Sequence, residues 1–130
     1  MKKSIIIILG EPNSISSEIF LKSLNYLKKT KLNFIIIGNY SLLERQADYL
    51  KLKINVNFNF SKIDNLNNIK FNFININYKQ NKPFVLKSNE SDVFIKNCFE
   101  CAIRILKKKI ASGLINLPIN KSKFTKNKYN

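Results

Sequence analysis

The chain has 130 residues, enough for one domain with a real core, and 45% of them are hydrophobic. Its net charge of +15 comes from 21 Lys but only 2 Arg, beside 20 Asn and 20 Ile, residues that A/T-rich codons favour, so the excess charge reads as a solvated Lys surface. A nucleic-acid surface would favour Arg for bidentate contacts, and no apolar run reaches membrane-spanning length, so neither nucleic acid nor membrane is an expected partner.

Ser4–Leu9 is a continuous apolar run ended by Gly10, the pattern of a strand buried on both faces of a parallel sheet. Lys2 and Lys3 precede it. The run is too short for a signal peptide and closes on Gly-Glu-Pro rather than a cleavage site, which places the chain in the cytoplasm. After Glu11-Pro12, Asn13 or Ser14 caps a helix with Glu18 in its first turn, Phe20, Leu24 and Leu27 inward, and Lys28 and Lys29 in its last turn. Asn33–Ile37 repeats the strand and Gly38-Asn39 its exit. Ser41-Leu42-Leu43-Glu44 reads as a capping box for a second helix that turns Leu43, Ala47 and Leu50 to the core. Two such units in succession predict βαβ crossovers.

The middle alternates. Ile54–Phe60 has Asn at 55, 57 and 59. Ile69, Phe71 and Phe73 keep a period of two before the apolar set shifts to Ile74, Ile76 and Tyr78. Such a slip implies a bulge or a change of strand, and alternation places these strands at a sheet edge. Residues 61–68 and 80–88 read as surface loops. Asn89–Ile110 is the longest helix, with Ile95, Cys98, Phe99, Ala102 and Leu106 on one face and Lys107–Lys109 at its end. Cys98 and Cys101 fall inside it. With no His in the chain and no second Cys pair, they read as small buried apolar residues rather than a redox or zinc pair. Gly113, a strand over Leu114–Leu117 and the loop Pro118-Ile119-Asn120-Lys121 follow. The tail 121–130 is polar and basic.

Asn120 and Lys121 are candidate ligand groups, because ligands of open α/β sheets bind at the carboxyl ends of strands, where an amide and an ammonium can hold an anionic or carbonyl-bearing molecule. Glu11 occupies the corresponding place after the first strand. There it either accepts from a substrate or ribose hydroxyl or serves as a turn residue.

The two loops, Gly10-Glu11-Pro12-Asn13-Ser14-Ile15-Ser16-Ser17-Glu18-Ile19 and Leu117-Pro118-Ile119-Asn120-Lys121, resemble those of the 4-hydroxythreonine-4-phosphate dehydrogenase family in order, spacing and character. The resemblance spans essentially the whole chain but only the first part of the family. It departs at Asn13, Ser14, Ser16 and Ser17, where the family has Ala, Gly, Gly and Pro, and at Leu117, where a small residue usually stands. The resemblance implies a three-layer α/β/α fold with a mostly parallel sheet, like that of isocitrate and isopropylmalate dehydrogenases. It implies NAD(P)-dependent, metal-requiring oxidation of 4-phosphohydroxy-L-threonine in vitamin B6 biosynthesis, a phosphorylated hydroxy amino acid as partner, a homodimer, and Glu11, Asn120 and Lys121 in the cleft. The family's metal ligands are absent from this chain. The expected organisation is an amino-terminal α/β domain over 1–120 and a tail over 121–130 leading into a catalytic half, the chain being inactive alone. The alternative is a non-catalytic α/β module that binds a small anion or nucleotide.

Overall fold

The computed structural model describes residues 4–86 and 89–117. Among them run β1 (Ser4–Ile8), α1 (Ser16–Leu27), β2 (Asn33–Gly38), α2 (Tyr40–Leu50), β3 (Asn59–Phe60), β4 (Phe71–Asn75), α3 (Asn89–Lys107) and β5 (Ala111–Asn116), with a 3-10 turn at Ile63–Asn65. The strands form one sheet in the order β3-β4-β2-β1-β5, and every pairing is parallel.

The apolar run of β1 explains the layering. Successive side chains of a strand point to opposite faces. Ile6 and Ile8, with Ile35 and Ile37 of β2 and Ile74 of β4, pack against Phe94, Ile95, Cys98, Ala102 and Ile105 of α3. Ile7 and Leu9, with Phe34, Ile36, Phe71 and Phe73, pack against Phe20, Leu21 and Leu24 of α1 and Leu43 and Ala47 of α2. The result is the expected α/β/α sandwich, with α1 and α2 on one face and α3 on the other. Each large side chain buried this way contributes about 1.5–3 kcal/mol.

Local details differ from the sequence expectation in ways the geometry explains. Ile15, not Asn13 or Ser14, stands at the N-cap of α1 and makes no side-chain cap bond. The Ser16 N–H instead donates to Ser14 Oγ at 3.1 Å. Lys28 is the C-cap residue, so neither Lys28 nor Lys29 lies in the last turn. Asn39 caps α2 two residues before the expected capping box, its Oδ1 accepting from Leu42 N–H at 3.0 Å. Only Asn59–Phe60 of the alternating run 54–60 is paired as strand. Ile54, Val56 and Phe58 still turn toward the core. The slip after Phe73 is neither bulge nor strand change: β4 keeps regular register with β2 and is buried on both faces, Phe71 and Phe73 to one side, Ile74 to the other. The irregularity lies between Ser4 and Ile5 where β1 meets β5, and β5 begins at Ala111, earlier than expected.

An aromatic cluster covers the β3 side of the sheet. Tyr40 meets Phe58, Phe60 and Phe73 edge-on, and Phe34 stacks on Phe71 at 5.6 Å. Burial, with the Glu44 carboxylate nearby, raises the Tyr40 hydroxyl above its ordinary value.

Gly10 turns the chain out of β1 with φ 83°, a conformation that costs L-residues roughly 1–2 kcal/mol. A Cβ on Gly38 would lie 2.5 Å from Leu9 Cδ1, so the strand end and the β1 exit approach more closely than any larger residue permits. We expect Gly10→Ala to lower unfolding free energy by about 1–2 kcal/mol in denaturant titrations. Gly113→Ala, whose Cβ would meet only the tip of Ile5 at 3.3 Å, should cost clearly less. Equal losses would show that the Gly10 turn is not strained by a side chain.

Candidate functional site

Helices α2 and α3 follow the neighbouring strands β2 and β4 but lie on opposite faces of the sheet. That divergence is a topological switch point, where open α/β sheets place their ligand crevice. Amide side chains join the two strand exits here. Asn39 Nδ2 donates to Ile76 O at 2.9 Å, and Tyr40 N–H donates to Asn75 Oδ1 at 2.8 Å. Asn39 thereby caps α2 and ties its start to the segment after β4 with the same amide.

The β1–α1 loop lies beside this junction. Glu11 is 1% exposed, and its Oε1 accepts from Asn13 N–H at 3.3 Å. Ser14 Oγ donates to Glu11 O at 2.8 Å. Glu11 thus takes part in the local hydrogen bonding of the turn. Apart from Gly10, no residue of the loop adopts positive φ. Asn13, Ser14, Ser16 and Ser17 can thus stand where the family has Ala, Gly, Gly and Pro, because this backbone asks for glycine only once.

A second tier of amides fastens the segment after β4 over the loop. Gln46 of α2, 2% exposed, donates through Nε2 to Pro12 O and, at 2.9 Å, to Pro83 O. Gln80 Nε2 donates to Asn13 Oδ1 at 2.8 Å, and Val85 N–H donates to the same oxygen at 3.1 Å. Tyr78 Oη donates to Gln80 Oε1 at 2.8 Å. The sequence expectation missed Gln46 and Gln80. Neither belongs to a motif, and only the fold brings residues 13, 46 and 80 together. Between loop and helix remains a cavity of about 20 Å³, lined among others by Glu11, Ser17, Asn39 and Gln46. It admits one water-sized group and no substrate.

Of the three expected cleft residues, Glu11 lies at the carboxyl end of β1, whereas Asn120 and Lys121 fall outside the described residues. The chain contains no His, and among the described residues no three His, Cys, Asp or Glu side chains converge as a metal site would require. The residues present do not fit the divalent metal that the family resemblance implies. Among the described residues, no helix is long and apolar enough to cross a membrane.

Cys98 and Cys101 are free thiols buried on the sheet side of α3. Burial, reinforced by neighbouring Cys101, pushes Cys98 up to about 12, and burial likewise raises Cys101. Such thiols stay protonated at neutral pH and pack as small apolar side chains.

Replacing Gln46 by Leu strands the buried Pro12 carbonyl and leaves Pro83 O only its second donor, Gln80 Nε2 at 3.2 Å. It should cost about 1–3 kcal/mol and speed amide exchange at Val85, and an unchanged exchange rate would contradict the fastening role. A Cys98 thiol favoured neutral in the folded state contributes stability that is intact below its ordinary value of 9.0 and falls away between pH 9 and about 12. Cys98→Ala should flatten that part of the stability curve, measured by urea unfolding across the range.

No family model matches the chain. It is 34% identical over 117 residues to the 4-hydroxythreonine-4-phosphate dehydrogenase of Sulfurihydrogenibium sp., an alignment covering 88% of this chain and 35% of that protein. A solved structure of a 4-hydroxythreonine-4-phosphate dehydrogenase from Burkholderia phymatum superposes on 95% of this chain and 38% of its own, with a TM-score of 0.75 at 15% identity. One provisionally given that name, from Salmonella typhimurium, covers 100% of this chain and 41% of its own, with a TM-score of 0.73 at 18% identity. The chain thus spans about a third of the length of the curated relative, and the solved structures share its fold over that part. Over most of its own length, this chain resembles a part of the 4-hydroxythreonine-4-phosphate dehydrogenase family.

Proposed function

We propose that the chain supplies one wall of the cleft of an NAD(P)-dependent dehydrogenase that oxidises 4-phosphohydroxy-L-threonine in vitamin B6 biosynthesis. The 34% identity over 88% of the chain carries this reading, and the shared fold supports it. In this proposal Asn120 and Lys121 follow β5 toward the carboxyl edge of the sheet and bind the anionic substrate, the ammonium as a point charge and the amide as donor and acceptor. Glu11 holds the β1 exit in shape. A bound NAD(P)⁺ would supply a nicotinamide to accept hydride from the substrate's carbinol carbon, with the hydroxyl proton passing to a base. The groups that polarise the alcohol and take that proton come from residues other than those described. The chain alone is then a binding wall, and a homodimer like that expected of the family would assemble around the complete cleft.

The missing imidazoles and the lack of an acidic cluster among the described residues favour one second reading: a metal-independent α/β module for a small anion or nucleotide.

A chimaera tests the first reading. Residues 1–130 replace the aligned segment of the Sulfurihydrogenibium enzyme, and NAD(P)H formation from 4-phosphohydroxy-L-threonine is followed by absorbance. Activity is expected, with Lys121→Ala lowering kcat/KM roughly tenfold or more through the lost charge-assisted contact. A folded but inactive chimaera, together with tight metal-independent binding of anions by the chain itself in calorimetry, would establish the module instead.

A further inference from the structure

We infer that the depression between α3, the end of β4 and the 3-10 turn at Ile63–Asn65 is a binding site for a free α-amino acid with an apolar side chain. The site goes beyond the proposed function: it uses none of the residues given a role there, and its ligand carries no phosphate. Space, charge and an apolar floor converge on it.

The depression is open and holds about 400 Å³, within the range of small-molecule sites. Its shape follows from the short edge strand. β3 ends after two residues, and the turn that follows it leans Ile63 and Leu66 on the α3 side of the core. The turn stands beside α3, and Lys108 Nζ, just past the helix, spans to Asp64 Oδ1 at 2.9 Å. That exposed pair adds little stability, but it joins the two walls.

The pair also engages Asp64. The Lys108 ammonium that hydrogen-bonds it holds its carboxyl below the ordinary carboxylate value, and the Arg104 guanidinium adds to the effect. The charges left in the lining for a ligand are Arg104 and Lys62 on one side and Glu100 on the other. Among the described residues, neither Arg104 nor Glu100 forms a hydrogen bond or salt bridge. They stand four residues apart on α3 and so share one face of it. A ligand with a carboxylate and an ammonium a few bonds apart satisfies both, whereas a simple anion or cation satisfies one. Arg104 is one of two arginines beside 21 lysines. Its planar fork takes both oxygens of a carboxylate, which an ammonium cannot do. Asn97, three residues before Glu100, offers an amide oxygen for a second ammonium hydrogen.

The floor is apolar. Buried Ile74 and Cys101 form it with partly buried Ile63 and Ile76. Burial raises the Cys101 thiol and keeps it neutral, so it lies there as a small apolar group. An aliphatic side chain resting on this floor leaves water along with it, so affinity grows with the size of that side chain.

The test titrates the full 130-residue chain with L-leucine and follows backbone amides and the Asn97 side chain by NMR. Saturable shifts at Asn97, Glu100, Arg104 and the 63–65 turn are expected. Glycine lacks the side chain, L-leucinamide the carboxylate and 4-methylpentanoate the ammonium, and each should bind roughly tenfold more weakly or worse. L-phosphoserine brings a dianion beside Glu100 and should bind no better than glycine. Arg104 and Glu100 are exposed, so Arg104→Lys and Glu100→Gln keep the fold. Each should weaken L-leucine binding roughly tenfold. The site is overturned by the absence of saturable shifts at about 10 mM L-leucine, by analogues that bind as tightly as L-leucine, or by an affinity that ignores both variants. Tighter binding of L-phosphoserine would overturn it in favour of a phosphorylated ligand. The chimaera's activity decides none of these outcomes: L-leucine binding beside an inactive chimaera keeps this site and removes the dehydrogenase, and an active chimaera without L-leucine binding does the reverse.

Discussion

β1 lies between β2 and β5, and its Ile6 and Ile8 are fully buried against α3 while Ile7 faces α1 and α2. Both layers of helices are therefore fastened to the same five residues. Large-to-small changes at such positions typically cost 2–5 kcal/mol, a large share of the stability of a domain this size. The strand also fixes the direction of everything functional. Its exit at Gly10, held against Gly38 through Leu9, delivers the Glu11 loop to the end of the sheet where the β2 and β4 exits arrive.

The same constraint explains which features were legible in the sequence. A run without polar residues can only be a strand covered on both sides, and Ser4–Leu9 and Asn33–Ile37 were readable for that reason. Helices announced themselves through the spacing of Phe20 and Leu24, or of Ile95, Cys98 and Ala102. Alternation was the weaker guide. Ile54, Val56 and Phe58 turn inward as the period demands, yet their backbone has no strand beside it, because the pattern records which side chains are buried and not which hydrogen bonds form. The apparent slip at Phe73-Ile74 misled for the converse reason. A strand buried on both faces has no single phase.

At the site the limit is different. Glu11 was identifiable because it stands at a fixed place after an identifiable strand. The contributions of Gln46, Gln80 and Asn39 depend on the strand order, which no local pattern encodes. A glutamine in the middle of α2 looks like a solvated residue until β3 is known to pass beyond β4, which sets the segment after β4 against α2 and brings Pro83 within its reach. The family resemblance gives the two loops an expected role that local chemistry could not, and the turn at Gly10 shows how the first loop accommodates its changed neighbours: the backbone asks for one left-handed residue there, and that residue is glycine.

Asparagine is the residue on which composition and structure meet. Its abundance reads as a codon bias indifferent to function, and much of it is on the surface. The fold nevertheless uses several copies where a hydrocarbon would leave backbone groups unpaired. Asn72 is fully buried in β4, receives Asn59 Nδ2 and Ser61 Oγ at 3.0 Å each, and donates to Asn67 O at 2.7 Å, closing the β3 edge with side chains where the strand itself is only two residues long. Asn39 and Asn75 do the same between β2 and β4. An amide offers both donor and acceptor without a charge to desolvate, so it can enter a core at the cost of one or two hydrogen bonds that the neighbouring backbone is ready to make. A chain rich in such groups can fasten short strands and loops that a purely apolar sequence would leave open.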